Sequence, residues 1–412
     1  MRRVLFVSRA VPYANGRGVE RRAALHLSYL RQIGPVTLVV PLESLLDASA
    51  AGFMPDMLDC ERLVIRQEAT RAEESAARYL SARSRLRKLW RGLQLRYWID
   101  QTAFPADAER YRKELGHDFG LIFAFRLSSA VWVNSVFGPG GERPVRVVDF
   151  DDFESIAFRR SREGTQRRLT RRLTDWRSLN WLENSERDIA RSWTVVVCSP
   201  SDADEVRRRL STTPLVVPNA VSFGAIAEQA ASDHHEILFV GTLNYPPNAD
   251  GLKWFVAMVW PRIMQELGAS ACLLVVGIDA PPELIDAISV PGVTYLGRVD
   301  DIAAVYARCD AAIVPILTGG GTRIKILEAF SFTRAVLTTP IGCEGIALTP
   351  GTEAMVASTP GDFAAKLASL IRDPVLRKSV AESGWRFGRA NFSLDAVQAH
   401  ALNSIRALAG KS

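Results

Sequence analysis

From residue 236 onward, short apolar runs bounded by Gly, Pro or Asp alternate with stretches of helical periodicity, and few folds accept that rhythm. Strands are predicted over 237–241, 272–277, 293–296, 311–316, 335–338 and 355–357. Helices are predicted over 248–267, 282–288 (with Pro282 in the opening turn), 301–309, 322–332, 362–372, 375–390 and 395–408. Strands this short and this uniformly apolar are buried on both faces. That requires a parallel sheet whose crossover helices cover each side in right-handed βαβ units.

The first half begins the same way. Strands are predicted over 4–7, 36–40, 121–125, 145–149, 194–198 and 215–217. After the first strand, the turn 12–18 carries Gly16 and Gly18 and leads into a helix with Ala23, Leu27 and Leu30 inward. A helical insertion covers roughly 71–115, and the polar, alanine-rich stretch 222–234 is a linker. A chain of 412 residues is long for one core. The expected organisation is an α/β protein of two Rossmann-like parallel-sheet domains, 1–220 and 235–392, facing a central cleft. A last helix in 393–412 packs back on the first domain. Sheets of this kind bind ligands beyond the carboxyl ends of their strands, and both glycine turns fall there.

The second glycine turn carries the most chemistry. Gly319-Gly320-Gly321-Thr322-Arg323-Ile324-Lys325 follows the apolar run 311–317 and opens a helix. Glycines let a ligand approach the backbone, and a helix start offers unsatisfied N–H groups and a positive dipole end. Arg323 and Lys325 add cations where the dipole disfavours them, so an anion beside them is expected, and phosphate is the simplest. Glu328, three residues past Lys325, can accept hydrogen bonds from paired sugar hydroxyls. An ordinary exposed i,i+3 ion pair between Lys325 and Glu328 fits the same spacing.

Composition narrows the function classes. Five scattered cysteines (Cys60, Cys198, Cys272, Cys309, Cys343) and five histidines show no metal spacing, so reduced cysteines and no metal site are expected. No apolar run is long enough to span a membrane, and 4–7 is too short for a signal core, so a cytoplasmic location is expected. Residues 1–220 hold 36 Lys and Arg against 27 Asp and Glu, while 221–412 hold 15 against 18. The net +6 therefore comes from the first half, which implies an anionic partner there. Residues 83–99 place Leu86, Leu89, Trp90, Leu93 and Tyr97 on one helical face and five cations on the rest. That pattern suits peripheral contact with an anionic membrane, and equally a stripe packed on the domain beneath a solvated arginine face. The arginine-rich stretch 159–191 has similar character, with Leu169, Leu173 and Trp176 at helical spacing.

The series Phe239-Val240-Gly241, Val275-Val276-Gly277, Tyr295-Leu296-Gly297 and Gly320 to Ala329, with 338–345 and the Val217-Pro218-Asn219 junction, resembles the nucleotide-binding half of GT-B glycosyltransferases. The likeness is to family four, the retaining type described as glycosyl transferases group 1. It is strong over about 215–392 and weaker before that. The resemblance implies transfer of a sugar from a nucleoside diphosphate donor, used as co-substrate without metal or other cofactor. The implied acceptor is a glycan, a lipid-linked saccharide or a small molecule. It implies that Glu328 holds the donor ribose and that Arg323 and Lys325 face the diphosphate. It also implies that Gly16 and Gly18 form the N-terminal glycine turn near the phosphates. One position departs: the family's second glutamate, eight residues before Glu328, is Gly320 here.

Further candidates follow from topology. Gly241, Thr242, Asn244 and Asn248 follow a strand end, Gly320, Gly321 and Thr322 line the glycine turn, and Glu344 sits in another turn after a strand. Asn248 equally suits a helix cap, and Glu344 a solvated loop acid. Asp149, at the end of its strand, either orients an acceptor hydroxyl or serves as a turn or capping acid. Asp149-Phe150-Asp151 also spells the Asp-x-Asp of a metal-dependent glycosyltransferase architecture. The rivals are that enzyme, a sugar-nucleotide epimerase, a dinucleotide oxidoreductase and a nucleic-acid-binding protein. The oxidoreductase lacks a third glycine after Gly16 and Gly18. Nucleic-acid binding leaves both glycine turns unexplained, so no nucleic-acid partner is expected.

Overall fold

The computed structural model describes residues 3–50, 52–66, 105–141, 144–151, 153–160, 169–227, 235–318 and 324–410. The basic stretch 83–99 and the insertion as far as residue 104 lie outside the described residues. The chain divides into two compact units. One comprises Met1–Val217 with Gln398–Ser412, the other Pro218–Val397.

In the first unit, β1 (Val4–Ser8), β2 (Val36–Pro41), β3 (Arg62–Arg66), β4 (Leu121–Phe125), β5 (Val145–Asp149), β6 (Thr194–Val197) and β7 (Leu215–Val216) form one sheet. Its order is β3-β2-β1-β4-β5-β6-β7, with Val4 of β1 opposite both Val36 and Leu121 and every pairing parallel. All five residues of β1 and of β4 are buried, and apart from Ser8 at the end of β1 they are apolar throughout. The winding reverses between β1 and β4. Edge strand β3 escaped the sequence reading because arginines end it and only two of its residues are buried. The helix Leu127–Phe137 buries Trp132, whose ring meets Tyr111 of the helix Pro105–Leu115 edge-on at 5.2 Å. From Gln398 onward the last helix, Leu394–Gly410, bonds to this unit. Gln398 Nε2 donates to Ser28 Oγ (2.7 Å), and Arg406 Nη2 to the Gln32 carbonyl (3.1 Å).

The second unit repeats the plan. β8 (His235–Val240), β9 (Ala271–Val276), β10 (Val293–Gly297), β11 (Ala311–Val314), β12 (Ala335–Thr338) and β13 (Met355–Val356) pair in the order β10-β9-β8-β11-β12-β13, all parallel. The winding reverses between β8 and β11. The long helix expected over 248–267 is interrupted by a π-turn, Phe255–Val259, between the helices Pro246–Trp254 and Trp260–Leu267. Pro261 has no N–H to give the Ala257 carbonyl, and the Trp260 N–H reaches back to Phe255 instead. The helix Pro246–Trp254 crosses the backbone after β11 closely enough that a Cβ on Gly251 would lie 2.2 Å from the Pro315 carbonyl oxygen. Among the described residues no helix is long and apolar enough to cross a membrane.

Candidate functional site

Each sheet presents a switch point, where strands on either side of the reversal send their connections to opposite faces and leave a crevice at their carboxyl ends. In the second unit the switch lies between β8 and β11. β8 is followed by Gly241 and Thr242, and the chain after β11 leads to the helix Ile324–Ser331. Gly320, Gly321, Thr322 and Arg323 lie outside the described residues.

Lys325 is described, and it is tightly placed. Its Nζ donates to Asn248 Oδ1 at 2.7 Å and lies 4.9 Å from the centroid of the Phe239 ring. Asn248 is buried and its other end is also engaged, Nδ2 donating to the Thr242 carbonyl at 2.8 Å. An amide satisfied at both ends is a rigid support for the ammonium. Gly241 has a reason here that the sequence did not disclose. A Cβ at that position would come within 2.8 Å of Asn248 Nδ2 and 3.0 Å of Lys325 Nζ, so glycine leaves the room the ammonium occupies. Asn248 is not the helix cap; Tyr245 holds that position. Glu328 lies one turn along from Lys325 and is half-buried, with its backbone carbonyl accepting from Ser331 Oγ. Ile326, Leu327, Ala329 and Phe330 form the buried side of this helix, with Ile324 only partly covered. Glu344 is exposed in the turn after β12.

In the first unit the switch lies between β1 and β4. Gly16 and Gly18 precede and open the helix Gly18–Leu30, whose first turn is capped from within. The Arg17 N–H donates to Glu20 Oε2 at 2.6 Å, and the Arg17 guanidinium pairs with the same carboxylate at 3.1 Å. A Cβ on Gly16 would fall 2.2 Å from Glu20 Oε2, so this glycine makes space for the cap. Beside it, at the carboxyl ends of β1 and β4, opens a cavity of about 380 Å³ bordered by Arg9, Arg17, Glu20, Asp47, Arg126 and Glu154.

Asp149 differs from the role of orienting an acceptor hydroxyl. It is fully buried, and its carboxylate is committed. Oδ2 accepts from Arg22 Nε at 2.8 Å and pairs with His26 Nε2, while Oδ1 accepts the Asp151 N–H at 2.7 Å. His26 Nδ1 meets Tyr29 Oη at 2.6 Å, and Arg22 Nη2 donates to the Val217 carbonyl at 3.0 Å. Burial by itself would raise the Asp149 carboxyl, but Arg22 and His26 outweigh it and hold it below the usual carboxylate range. Burial lowers the His26 imidazole below its ordinary range, against the opposing pull of Asp149. Asp149 is thus a buried anchor. Asp151 is likewise spent on cations, at 3.5 Å from Arg22 and 2.7 Å from Arg126, so the Asp149-Phe150-Asp151 carboxylates do not fit a metal. Among the described residues no group of three His, Cys, Asp or Glu is placed to hold one. The sequence reading missed Arg22, His26 and Arg126. Arg22 and His26 lie on one face of the first helix, and that i,i+4 spacing was the available signal.

Residues 234–373 match the family model described as Glycosyl transferases group 1. A Klebsiella pneumoniae protein described as an uncharacterized 44.6 kDa protein in cps region is 27% identical over 164 residues. The match takes in 38% of this chain and 42% of the relative's length. Among solved structures, sucrose-phosphate synthase from Thermosynechococcus elongatus is similar with a TM-score of 0.70 at 16% identity, over 100% of both chains. Anabaena Alr3699/HepE in complex with UDP and glucose is similar with a TM-score of 0.63 at 12% identity, over 99% of this chain and 100% of that one. At such identities the likeness is one of fold.

Proposed function

We propose that the chain, whose residues 234–373 match the glycosyl transferases group 1 model and which has the GT-B fold, transfers a hexose from a UDP-sugar to a saccharide acceptor with retention of configuration. The observation that carries this reading is the Lys325 ammonium, seated against Gly241 and held by Asn248 at the carboxyl end of β8. A cation in the first turn of a helix opposes the dipole there, and an anionic ligand at that helix start removes the penalty. Lys325 meets the donor diphosphate, and Glu328, one turn along, accepts from the ribose hydroxyls. The UDP and glucose bound by the Anabaena neighbour support a uridine donor, and the relative in a cps region supports a polysaccharide acceptor.

The chemistry needs little from the protein beyond a fixed positive field. The acceptor oxygen bonds to the anomeric carbon on the face from which the diphosphate departs. The bond from that carbon to the β-phosphate oxygen breaks, and the acceptor's proton passes to the departing phosphate. Negative charge grows on the diphosphate as this happens, so a cation already in place lowers the barrier without reorganising. Lys325→Ala is expected to reduce transfer from UDP-glucose at least about a hundredfold with an unchanged melting temperature. Near-normal transfer by that variant would refute the assignment.

A further inference from the structure

Large apolar side chains stand exposed most densely in the stretch that leads into β3 of the first unit. Of the ten such side chains among the described residues, four fall within 46–65: Leu46, Met54, Met57 and Ile65. The stretch is nonetheless firmly seated. Leu45, Ala48, Phe53 and Leu58 are buried, and the Phe53 ring meets Tyr13 at 5.5 Å. It also carries charge of one sign. Residues 42–61 hold five acids and no Lys or Arg, in a half whose net charge is positive. Asp59 pairs with Arg31 and Glu61 with Arg3. Glu43, Asp47 and Asp56 are exposed and, among the described residues, have no cation within salt-bridge distance.

A surface both apolar and acidic repels an anionic membrane and suits a partner with an apolar stripe and cations beside it. Residues 83–99 have that composition: Leu86, Leu89, Trp90, Leu93 and Tyr97 at helical spacing, with Lys88, five arginines and no acid. Connectivity brings the two together. β3 ends at Arg66, opposite Pro41, and the helix Leu42–Ala50 begins at the next residue. The chain returns on the same side. Arg62 Nη1, at the start of β3, donates to the Glu114 carbonyl (2.9 Å) near the last turn of the helix Pro105–Leu115, so the first turn of that helix lies toward the Arg66 end. Residues 67–82 separate Arg66 from the basic stretch, a reach of up to about 50 Å. A tether of that length gives an effective concentration on the order of millimolar, an advantage no separate molecule has.

We infer that this surface is the seat of the chain's own residues 83–99, whose apolar stripe covers Leu46, Met54, Met57 and Ile65 while its cations meet Glu43, Asp47 and Asp56. The basic stretch is then spent on the protein and not on a membrane. Two measurements on the full-length protein test this. Lys88 is the single lysine of 67–104. Zero-length carbodiimide coupling, read by peptide mass spectrometry, joins Lys88 to Glu43, Asp47 or Asp56 within the monomer. Trypsin cleaves slowly after the cations of 83–96, and Leu46→Gln combined with Met57→Gln speeds that cleavage at least about tenfold. Both substituted side chains are exposed, so the melting temperature moves little, and the coupling result needs no variant. Coupling of Lys88 to other carboxylates alone, or to none, overturns the inference. So does coupling confined to species of twice the mass, which assigns the surface to a second copy. Equal cleavage rates in the two proteins overturn it as well, as does protection that appears only with phosphatidylglycerol vesicles, which assigns 83–99 to a membrane.

Discussion

The two units share a strand order and treat its switch point in opposite ways. The first fills the ground behind its crevice with a dense ionic network. Asp149 is buried between Arg22 and His26, Asp151 bridges to Arg126, and two non-glycine residues are held at positive φ. The second sets Lys325 on a neutral amide and an aromatic face, with a glycine leaving it space. Topology decides where a crevice lies, and local charge pairing decides what it suits. Acids interleaved with bases border the first crevice, whereas an ammonium resting on an amide and an aromatic ring borders the second.

This contrast predicts that equivalent substitutions do different damage. The largest effect belongs to Asp149→Ala, which removes the nearest counter-charge of the buried Arg22. It is expected to cost about 3–5 kcal/mol in urea unfolding, against less than about 1 kcal/mol for Lys325→Ala. Similar losses for both would erase the distinction between a structural network and a binding cation.

The next effect is a pH dependence confined to the first unit. Glu186 is buried and accepts from Ser155 N (2.9 Å) and Ser155 Oγ (2.7 Å). Burial pushes its carboxyl up to about 7, outweighing the Ser155 hydrogen bonds and Arg209 that pull it down, with Glu154 adding a small push upward. The folded protein therefore holds a proton that the unfolded chain releases near 4.5. The stability this contributes is complete below that value and is lost as pH rises through about 7, on the order of 3 kcal/mol in all. Glu186→Gln removes the slope, and the difference between the two unfolding-versus-pH curves isolates it. Parallel curves would contradict the burial argument.

The smallest effect sharpens the second unit. Asn248→Ala removes the amide that positions the Lys325 ammonium and is expected to lower kcat about tenfold, with a lesser change in the KM for donor. Asn248→Asp is expected to do worse, because a carboxylate at 2.7 Å would neutralise the ammonium that the diphosphate needs. An active Asn248→Asp variant would mean that Lys325 acts through something other than its charge.

The architecture was largely legible from β1, β4, β8 and β11, whose apolar runs fit only doubly covered parallel strands. β3 was not, since an edge strand ending in Arg62 and Arg66 lacks that signature. Lys325 and Glu328 could be singled out because glycines, cations and a carboxylate fall at helical spacing. The reasons for Gly16 and Gly241 could not, because the groups they make room for are Glu20 in one case and the distant Asn248 and Lys325 in the other. Asp149, open in sequence between an acceptor-orienting acid and a turn acid, could not be placed for a related cause. A strand-end acid looks available in sequence, and only the fold brings Arg22 and His26 from the first helix onto it. Burial and long-range pairing leave no mark on local composition.

Calorimetric titration of UDP into the unsubstituted protein and into Lys325→Ala tests the central claim most directly, since it needs neither the sugar nor the acceptor. The account predicts saturable binding to the first and an affinity at least about tenfold weaker for the second, with both melting alike. Equal affinities, or no binding of UDP to either, would contradict it.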